Sequence, residues 1–514
     1  MPGSKQFFLT LTLFSLCFGV ILHAGDQPQW GERWTRNMVS PERGLPDRFD
    51  PRTGENVKWV ADLGTQTHST PVVAGGLVLI GTNNARPRDP KHRGDRGVLM
   101  CFRESDGKFL WQLVVPKLSE DRYLDWPYVG MTSPATVDGG RIYMVTNRAE
   151  VVCLDPEGMA DGNDGPYKEE GRHMVPAGEE PLEPGPKDAD ILWLFDMRAR
   201  LGVHPHDSAH CSILVDGPFL YVCTSNGVDR THIHIPNPEA PSLIVLEKAT
   251  GRLLATDDAR IGPNIVHCMW SSPSLGVAGG RRLVFFGGGD GICYAFGAFE
   301  RVPPPGKVLK LQTVWRFDCD PTGPRGDLPR WQDNRTEGPS NISGMPVFHQ
   351  GRVYVTAGGD VWHGKRKAWL YCIDASVKTN GPEPADITER GKVWVYSLNR
   401  HCLSTPAVWD GLVFICDLGR TLHCVDARTG RLYWTHRLRG DIWASPLVAD
   451  GKVFLGTRAG DFWIFRAAPQ KEILWTVRLH SPISATAVAA NGTLYVATMK
   501  QLFAIAASKL KPKR

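Results

Sequence analysis

The hydrophobic pattern of this chain is a short alternating phrase that returns eight times. Each copy reads roughly Ser-x-Pro-x-Val, a turn with Gly, Val-Tyr-Val-small-Thr, Leu-x-small-hydrophobic-Asp, and then Trp. The copies begin at HSTPVV (68–73), TSPATV (132–137), CSILVD (211–216), SSPSLG (271–276), GMPVFH (344–349), STPAVW (404–409), ASPLVA (444–449) and ATAVAA (485–490). The sixth copy displays the elements most clearly. Ser404 to Val408 alternates small and apolar groups, which suits a buried inner strand. Trp409-Asp410-Gly411 is a tight turn, and Leu412 to Cys416 is a β-branched and aromatic strand. Leu422 to Asp426 forms a third strand, and Arg428-Thr429-Gly430 turns the chain into an outer strand at Leu432-Tyr433-Trp434.

A four-stranded unit of this size cannot bury both its faces, so neighbours must stack and the ring must close. The pattern therefore predicts an all-β chain forming a single eight-bladed β-propeller of four-stranded blades. Trp closes most copies, at Trp111, Trp193, Trp315, Trp394, Trp434 and Trp475, whereas the third has Leu253-Leu254. The eighth copy ends at Leu502-Phe503-Ala504-Ile505 without an outer strand of its own. Val57-Lys58-Trp59-Val60 supplies the missing strand, so the ring is expected to close by N-terminal pairing into the last blade, with no free sheet edge.

This assigns residues 54–507 to the propeller, 25–53 to an N-terminal extension and 508–514 to a basic tail. Residues 1–24 read as a signal peptide: Lys5, an apolar stretch from Phe7 to Leu22, and Leu22-His23-Ala24 before a cleavage point. The large Leu16 before Cys17 argues against lipidation there. The protein is thus expected to be exported, periplasmic or secreted, with no membrane span after cleavage. First-to-second-strand hairpins are short and Gly-bearing. The long excursions at 83–96, 114–130, 225–241, 257–269, 318–341 and 358–367 share one face, which is the expected binding surface. Insertions at 156–190, 297–312 and 375–391 belong to the other face, the first reading as an irregular surface loop.

Composition adds little beyond exclusion. A hydrophobic content of 42% and a charged content of 22% give a real core, and a net charge of +5 over 514 residues is too weak to imply nucleic acid. The chain has 12 cysteines. Cys101, Cys153, Cys372 and Cys424 share one small slot of the third strand, and Cys223 and Cys416 share one of the second. Equivalent slots in different blades lie too far apart for a disulfide, so these six are expected to be buried free thiols. Cys211, Cys268, Cys293, Cys319 and Cys402 have no such account. Asp161-Gly162-Asn163-Asp164-Gly165 reads as an Asx-rich turn rather than a calcium loop, because no Glu closes it in register. The basic loop holding Arg86, Arg88, Lys91, His92, Arg93 and Arg96 reads as solvated.

Candidate chemistry comes from the starts of the inner strands, which should face the central channel. His68, His210, Trp270, Trp443 and Ser484 stand there, with His204, His206, His267-Cys268 and His401-Cys402 close by. Imidazole and thiolate are ligands for zinc or copper, so His204, His206, His210, His267, Cys268, His401 and Cys402 are candidate metal ligands. Trp270, Trp443, His68 and His210 are candidate cofactor-binding residues, the indoles offering stacking surfaces for a flat ring. No catalytic residue can be assigned.

The repeated Ser-x-Pro-x-Val, Val-Tyr-Val-Gly-Thr, Cys-x-Asp-x-x-Thr-Gly and Trp pattern resembles the repeat of pyrroloquinoline quinone (PQQ) dehydrogenases. It also resembles that of the propeller subunit of the outer-membrane β-barrel assembly machine. Pro28-Gln29-Trp30 and Gly97-Val98-Leu99-Met100-Cys101-Phe102-Arg103 are similar to stretches in exported PQQ-repeat proteins of planctomycete-type bacteria. The resemblance, over about Val57 to Ala506, implies a quinoprotein alcohol dehydrogenase-like propeller. The chain departs from the dehydrogenases in having no Cys-Cys pair and no Cys-x-x-Cys-His haem motif. The expected function is therefore a monomeric binding or scaffold module for an envelope or extracellular protein, a glycan or a small molecule. The alternatives implied by the resemblance are an oxidoreductase holding PQQ with calcium or a transition metal, and an envelope assembly scaffold.

Overall fold

The computed structural model describes residues 25–378 and 382–507. The expected signal peptide and basic tail lie outside the described residues. Each repeat forms one antiparallel sheet, and eight such sheets make the ring. The sixth blade is typical, with strands at Ala407–Trp409, Leu412–Asp417, Thr421–Asp426 and Leu432–Arg437. Inner strands hold only three to five residues because they crowd the axis. Their neighbours lengthen outward, as at Leu77–Asn83 and Arg96–Arg103 in the first blade.

The ring closes as expected. Val57–Asp62 pairs antiparallel with Gln501–Ile505 and becomes the outer strand of the eighth blade, with Trp59 opposite Ala504. The closing Trp residues owe their recurrence to the contact between blades. The indole N–H of Trp59 donates to the Glu104 carbonyl of the next blade at 2.9 Å, that of Trp111 to Pro156 at 2.8 Å, and that of Trp434 to Ala468 at 3.0 Å. The Gly of the Thr-Gly turn makes room for the ring. Gly430 has φ +71°, and a Cβ there would lie 2.7 Å from the Trp394 indole.

Two features exceed what the repeat predicts. The insertions at 156–190, 297–312 and 375–391, of which the first reads in the sequence as an irregular surface loop, reach back and extend the preceding blade. Leu309–Leu311 pairs parallel to the outer strand Leu253–Asp257, Ala385–Asp386 pairs with Thr313–Asp318, and Asp188 bridges Gln112. The 156–190 segment also carries a short helix, Glu170–His173, whose buried His173 lies 2.9 Å from Glu150.

The second feature is the N-terminal extension, which lines the channel and visits every blade. Gln27 pairs with Val73, the Val137 N–H donates to Pro28, and the Trp34 indole donates to Val215. The N–H groups of Leu275, Phe348 and Val448 donate to the carbonyls of Trp34, Thr35 and Met38. The Asn37 amide exchanges two bonds with Val408, both 2.8 Å, and the Ser40 hydroxyl donates to Ala489 at 2.9 Å. Val73, Val137, Val215, Leu275, Phe348, Val408, Val448 and Ala489 all lie on inner strands, whose inward edges would otherwise present unpaired backbone. One segment thus satisfies all eight edges. It is pinned by fully buried Arg36, whose guanidinium donates to the carbonyls of Pro273, Trp30 and Ser212 and to the Ser212 hydroxyl.

All eleven cysteines among the described residues are free thiols, and ten are buried. No helix among the described residues is long and apolar enough to cross a membrane.

Candidate functional site at the loop face

The long loops joining second to third strands, and one blade to the next, converge at the channel mouth over the third to fifth blades. His206 comes from the loop entering the third blade, His232 from the loop between that blade's second and third strands, and His267 from the loop entering the fourth. One ligand nitrogen from each lies within 4.8 Å of the other two. His206 is 0% and His267 2% exposed, and His232 is half-buried.

The loops meet at Gly227, whose N–H donates to the His204 carbonyl at 2.9 Å. A Cβ at Gly227 would stand 2.7 Å from the His267 carbonyl and 3.0 Å from the His206 Cβ, so no larger residue lets the two histidines approach. Asp207 and His232 both adopt left-handed φ, 60° and 59°. Strain of this kind persists only where the surroundings impose it.

The polar partners are asymmetric. His206 Nδ1 faces the Val228 carbonyl at 2.7 Å, which leaves Nε2 buried without a hydrogen bond. His267 Nδ1 stands 3.3 Å from the buried Asp360 carboxylate, and its Nε2 is likewise unpartnered. Asp360 is itself held by the N–H groups of Trp362 at 2.9 Å and His363 at 2.7 Å. Asp207 Oδ1, also without a hydrogen bond, lies 3.8 Å from His206 Nε2.

Burial, together with the neighbouring His267 and His232, lowers the His206 pKa to about 2, and burial beside His267 and His363 lowers that of His232 to about 4. Both are neutral imidazoles at neutral pH. Burial works against charge on His267 as well, but the Asp360 carboxylate outweighs it and raises the pKa. Burial works against charge on Asp360 too, yet His267 holds its carboxyl well below the usual range.

Aromatic rings wall the site. Tyr123 stacks on His206 with centroids 5.7 Å apart, and Trp270 and Trp362 flank His267 at 5.3 and 5.2 Å. Trp362 continues to Trp443 at 6.4 Å, Trp443 to His68 at 5.8 Å, and the Arg458 guanidinium lies 4.3 Å over Trp443.

Of the candidate metal ligands, the fold brings His206 and His267 together and adds His232. His204 lies behind Gly227 and outside the cluster. His210 turns inward to the edge of Trp30 at 5.8 Å. The Cys268 thiol donates to the Ser225 carbonyl and the Cys402 thiol to the Cys416 carbonyl, at 3.2 and 3.0 Å. Burial raises both thiol pKa values, that of Cys402 to about 12, and neither thiol is among the groups that converge. His401 is outside the cluster: its backbone carbonyl accepts from Leu418 at 2.8 Å, while its imidazole lies by Gly364 and Asp360 of the fifth-blade loop with Nε2 buried and without a hydrogen bond. Of the cofactor candidates, Trp270, Trp443 and His68 lie along one aromatic wall and His210 does not.

The donor set suits some metals and not others. Calcium takes six to eight oxygen ligands. Imidazole nitrogens suit zinc, copper, iron or nickel. The cluster therefore does not fit the calcium that would accompany PQQ.

A family model described as outer membrane protein assembly factor BamB matches residues 385–469, which hold the whole sixth blade. A curated relative, 1-butanol dehydrogenase (cytochrome c) of Thauera butanivorans, is 26% identical over 172 residues. The match covers 31% of this chain and only 20% of that protein's length. Among solved structures, BamB from Moraxella catarrhalis is 12% identical, with a TM-score of 0.49 over 88% of this chain and 97% of its own. A europium-containing methanol dehydrogenase is 12% identical, with a TM-score of 0.49 over 93% and 90%. Quinohemoprotein alcohol dehydrogenase from Comamonas testosteroni is 13% identical, with a TM-score of 0.48 over 95% and 82%. The resemblance carried by the eightfold repeat is thus met by a family match over 385–469, and the chain is an eight-bladed β-propeller similar there to the assembly-factor family.

Proposed function

We propose that this protein is an exported binding module that seats a small ligand at the loop-face mouth of its channel. The observation that carries this reading is the convergence of buried, unpartnered imidazole nitrogens and indole rings from separate blades onto one spot. Rigid strands hold the loops, and the N-terminal extension fills the inner edge of the ring, so the seat rests on a closed scaffold. Concave sites of this type combine apolar walls with a few placed polar groups. Trp362, 36% exposed, is the accessible face of the wall.

The test is intrinsic tryptophan fluorescence of the mature protein, titrated with oligosaccharides, flat heteroaromatic acids including PQQ, and short peptides. Saturable quenching by one class, lost in Trp362→Ala, supports the reading. Quenching by none of them, or quenching that Trp362→Ala leaves intact, opposes it.

The oxidoreductase reading draws on the sequence match to a dehydrogenase and on the stacked indoles. It requires saturable PQQ binding near one equivalent in the presence of calcium, followed by absorbance. The assembly-scaffold reading, supported by the family match over 385–469, requires an outer-membrane barrel protein to co-purify.

A further inference from the structure

We propose that His206, His232 and His267 bind one divalent transition-metal ion of the imidazole-preferring class, with Asp360 as the residue that orients His267. The inference deepens the proposed ligand seat and rests on it for its place in the fold.

Three features of the geometry carry it. Two of the three imidazoles are buried with their Nε2 atoms aimed at no protein partner. An unpaired buried polar atom costs about 1–3 kcal/mol, so two converging from different loops call for a shared occupant. Next, the far nitrogens already face acceptors. His206 Nδ1 meets the Val228 carbonyl at 2.7 Å, and His267 Nδ1 stands in ion-pair contact 3.3 Å from the Asp360 carboxylate, short of hydrogen-bond geometry. Histidines that ligate metals characteristically donate their other N–H to a carbonyl or carboxylate, which fixes the tautomer and frees the ligating nitrogen. Finally, the spacing is close. The nitrogens lie within 4.8 Å of one another, against about 3.3 Å for ligands of a tetrahedral ion with bonds of about 2.05 Å. Half-buried His232, on the longest loop of the three, is the member free to close the difference.

Three protein ligands leave a fourth position, as in metal centres that bind an exchangeable molecule. Asp207 Oδ1, 3.8 Å from His206 Nε2 and also without a hydrogen bond, stands beside it. Cys268 is excluded as a ligand because its thiol is spent on the Ser225 carbonyl.

The test is equilibrium zinc titration of tag-free mature protein, first stripped with chelator, against a competing colorimetric chelator. Cobalt is the second probe, its visible bands reporting ligand number. The expected result is one equivalent bound, weakened at least 100-fold by His206→Ala. Asp360→Asn should weaken it about 10- to 100-fold while leaving the cobalt spectrum three-nitrogen in character. His232→Ala, at a half-exposed position, covers the case in which a buried variant does not fold. Zinc binding below one equivalent overturns the proposal. So does binding unchanged in His206→Ala and His232→Ala, or lost equally in His401→Ala. The fluorescence titration repeated in chelator keeps the two readings apart, since a seat that holds its organic ligand without metal survives failure of the metal site.

Discussion

Asn37 puts the role of the N-terminal extension to a quantitative test. Its side-chain amide imitates a strand neighbour: Nδ2 donates to the Val408 carbonyl and Oδ1 accepts from the Val408 N–H, each at 2.8 Å, at a site 1% exposed. Asn37→Ala leaves two buried backbone groups without partners. At about 1–3 kcal/mol each the loss spans roughly 2–6 kcal/mol, and water entering the small gap holds it near 3 kcal/mol. Unfolding entropy scales at about 2.1 cal/mol/K per residue, so for a chain of this length 3 kcal/mol lowers Tm by about 3 °C. Asn37→Asp is the sharper perturbation. Its carboxylate still accepts from the Val408 N–H but sets a second anionic oxygen against the Val408 carbonyl. That arrangement raises the new group's folded pKa. Its penalty is present at neutral pH and disappears as pH falls below the unfolded value of about 3.9, where the acid donates to the carbonyl. Differential scanning calorimetry of the three proteins at pH 7 and pH 3.5 is the assay. Equal Tm values for the native protein and Asn37→Ala, or a pH-independent deficit for Asn37→Asp, would refute the edge-capping role.

Other predictions follow from the same contacts. Deleting residues 54–64 removes the outer strand of the eighth blade and opens the ring, so the truncated protein should lose its cooperative melting transition by circular dichroism. Gly430→Ala places a Cβ 2.7 Å from the Trp394 indole at a φ of +71°, and should lower stability by about 1–3 kcal/mol in urea titration. Gly227→Ala places a Cβ 2.7 Å from the His267 carbonyl, so it should cost stability much as Gly430→Ala does but also weaken zinc binding, which Gly430→Ala leaves unchanged. Burial raises the Asp290 pKa to about 6, with the Tyr294 hydroxyl at 2.7 Å only partly offsetting it. Its contribution to stability is full below pH 3.8 and is lost as pH rises to about 6, a span worth roughly 3 kcal/mol. Asn at this position should therefore raise Tm at pH 7.5 relative to the native protein and make no difference near pH 3.5, which paired melts at the two pH values will read.

The fold was legible because each blade repeats the same physical demands. Small residues crowd the axis, apolar residues alternate between neighbours, and a Trp seals most outer edges, in four blades over a Gly of the next. Even the strand donated by Val57–Asp62 could be read, since its Trp59 matches the Trp missing from the eighth copy. The path of residues 25–42 could not be read. Gln27, Trp34, Asn37 and Ser40 each meet a different blade through a different group, so no periodicity marks the segment. The site was half legible. His206 and His267 precede inner strands and could be placed near the channel by counting back from Ser-x-Pro. His232, Asp360, Tyr123 and Trp362 sit on long loops, where position depends on turns such as the Asp360 cap on Trp362 and His363 rather than on register. The same limit explains His204 and His401, whose rings meet neighbouring loops away from the three-histidine cluster, and Cys402, whose thiol bonds within its own blade. The 225–241 and 358–367 excursions did carry a signal: they place His232, His234 and His363 on the face expected to bind.

The most direct test of the site is a crystal of the mature protein soaked in dilute zinc, with anomalous data collected on both sides of the zinc edge. One strong peak is expected, bounded by the Nε2 atoms of His206 and His267 and a ring nitrogen of His232, with Asp360 retained beside His267. A map with no peak there, or with zinc only on exposed surface histidines, would contradict the assignment of this site.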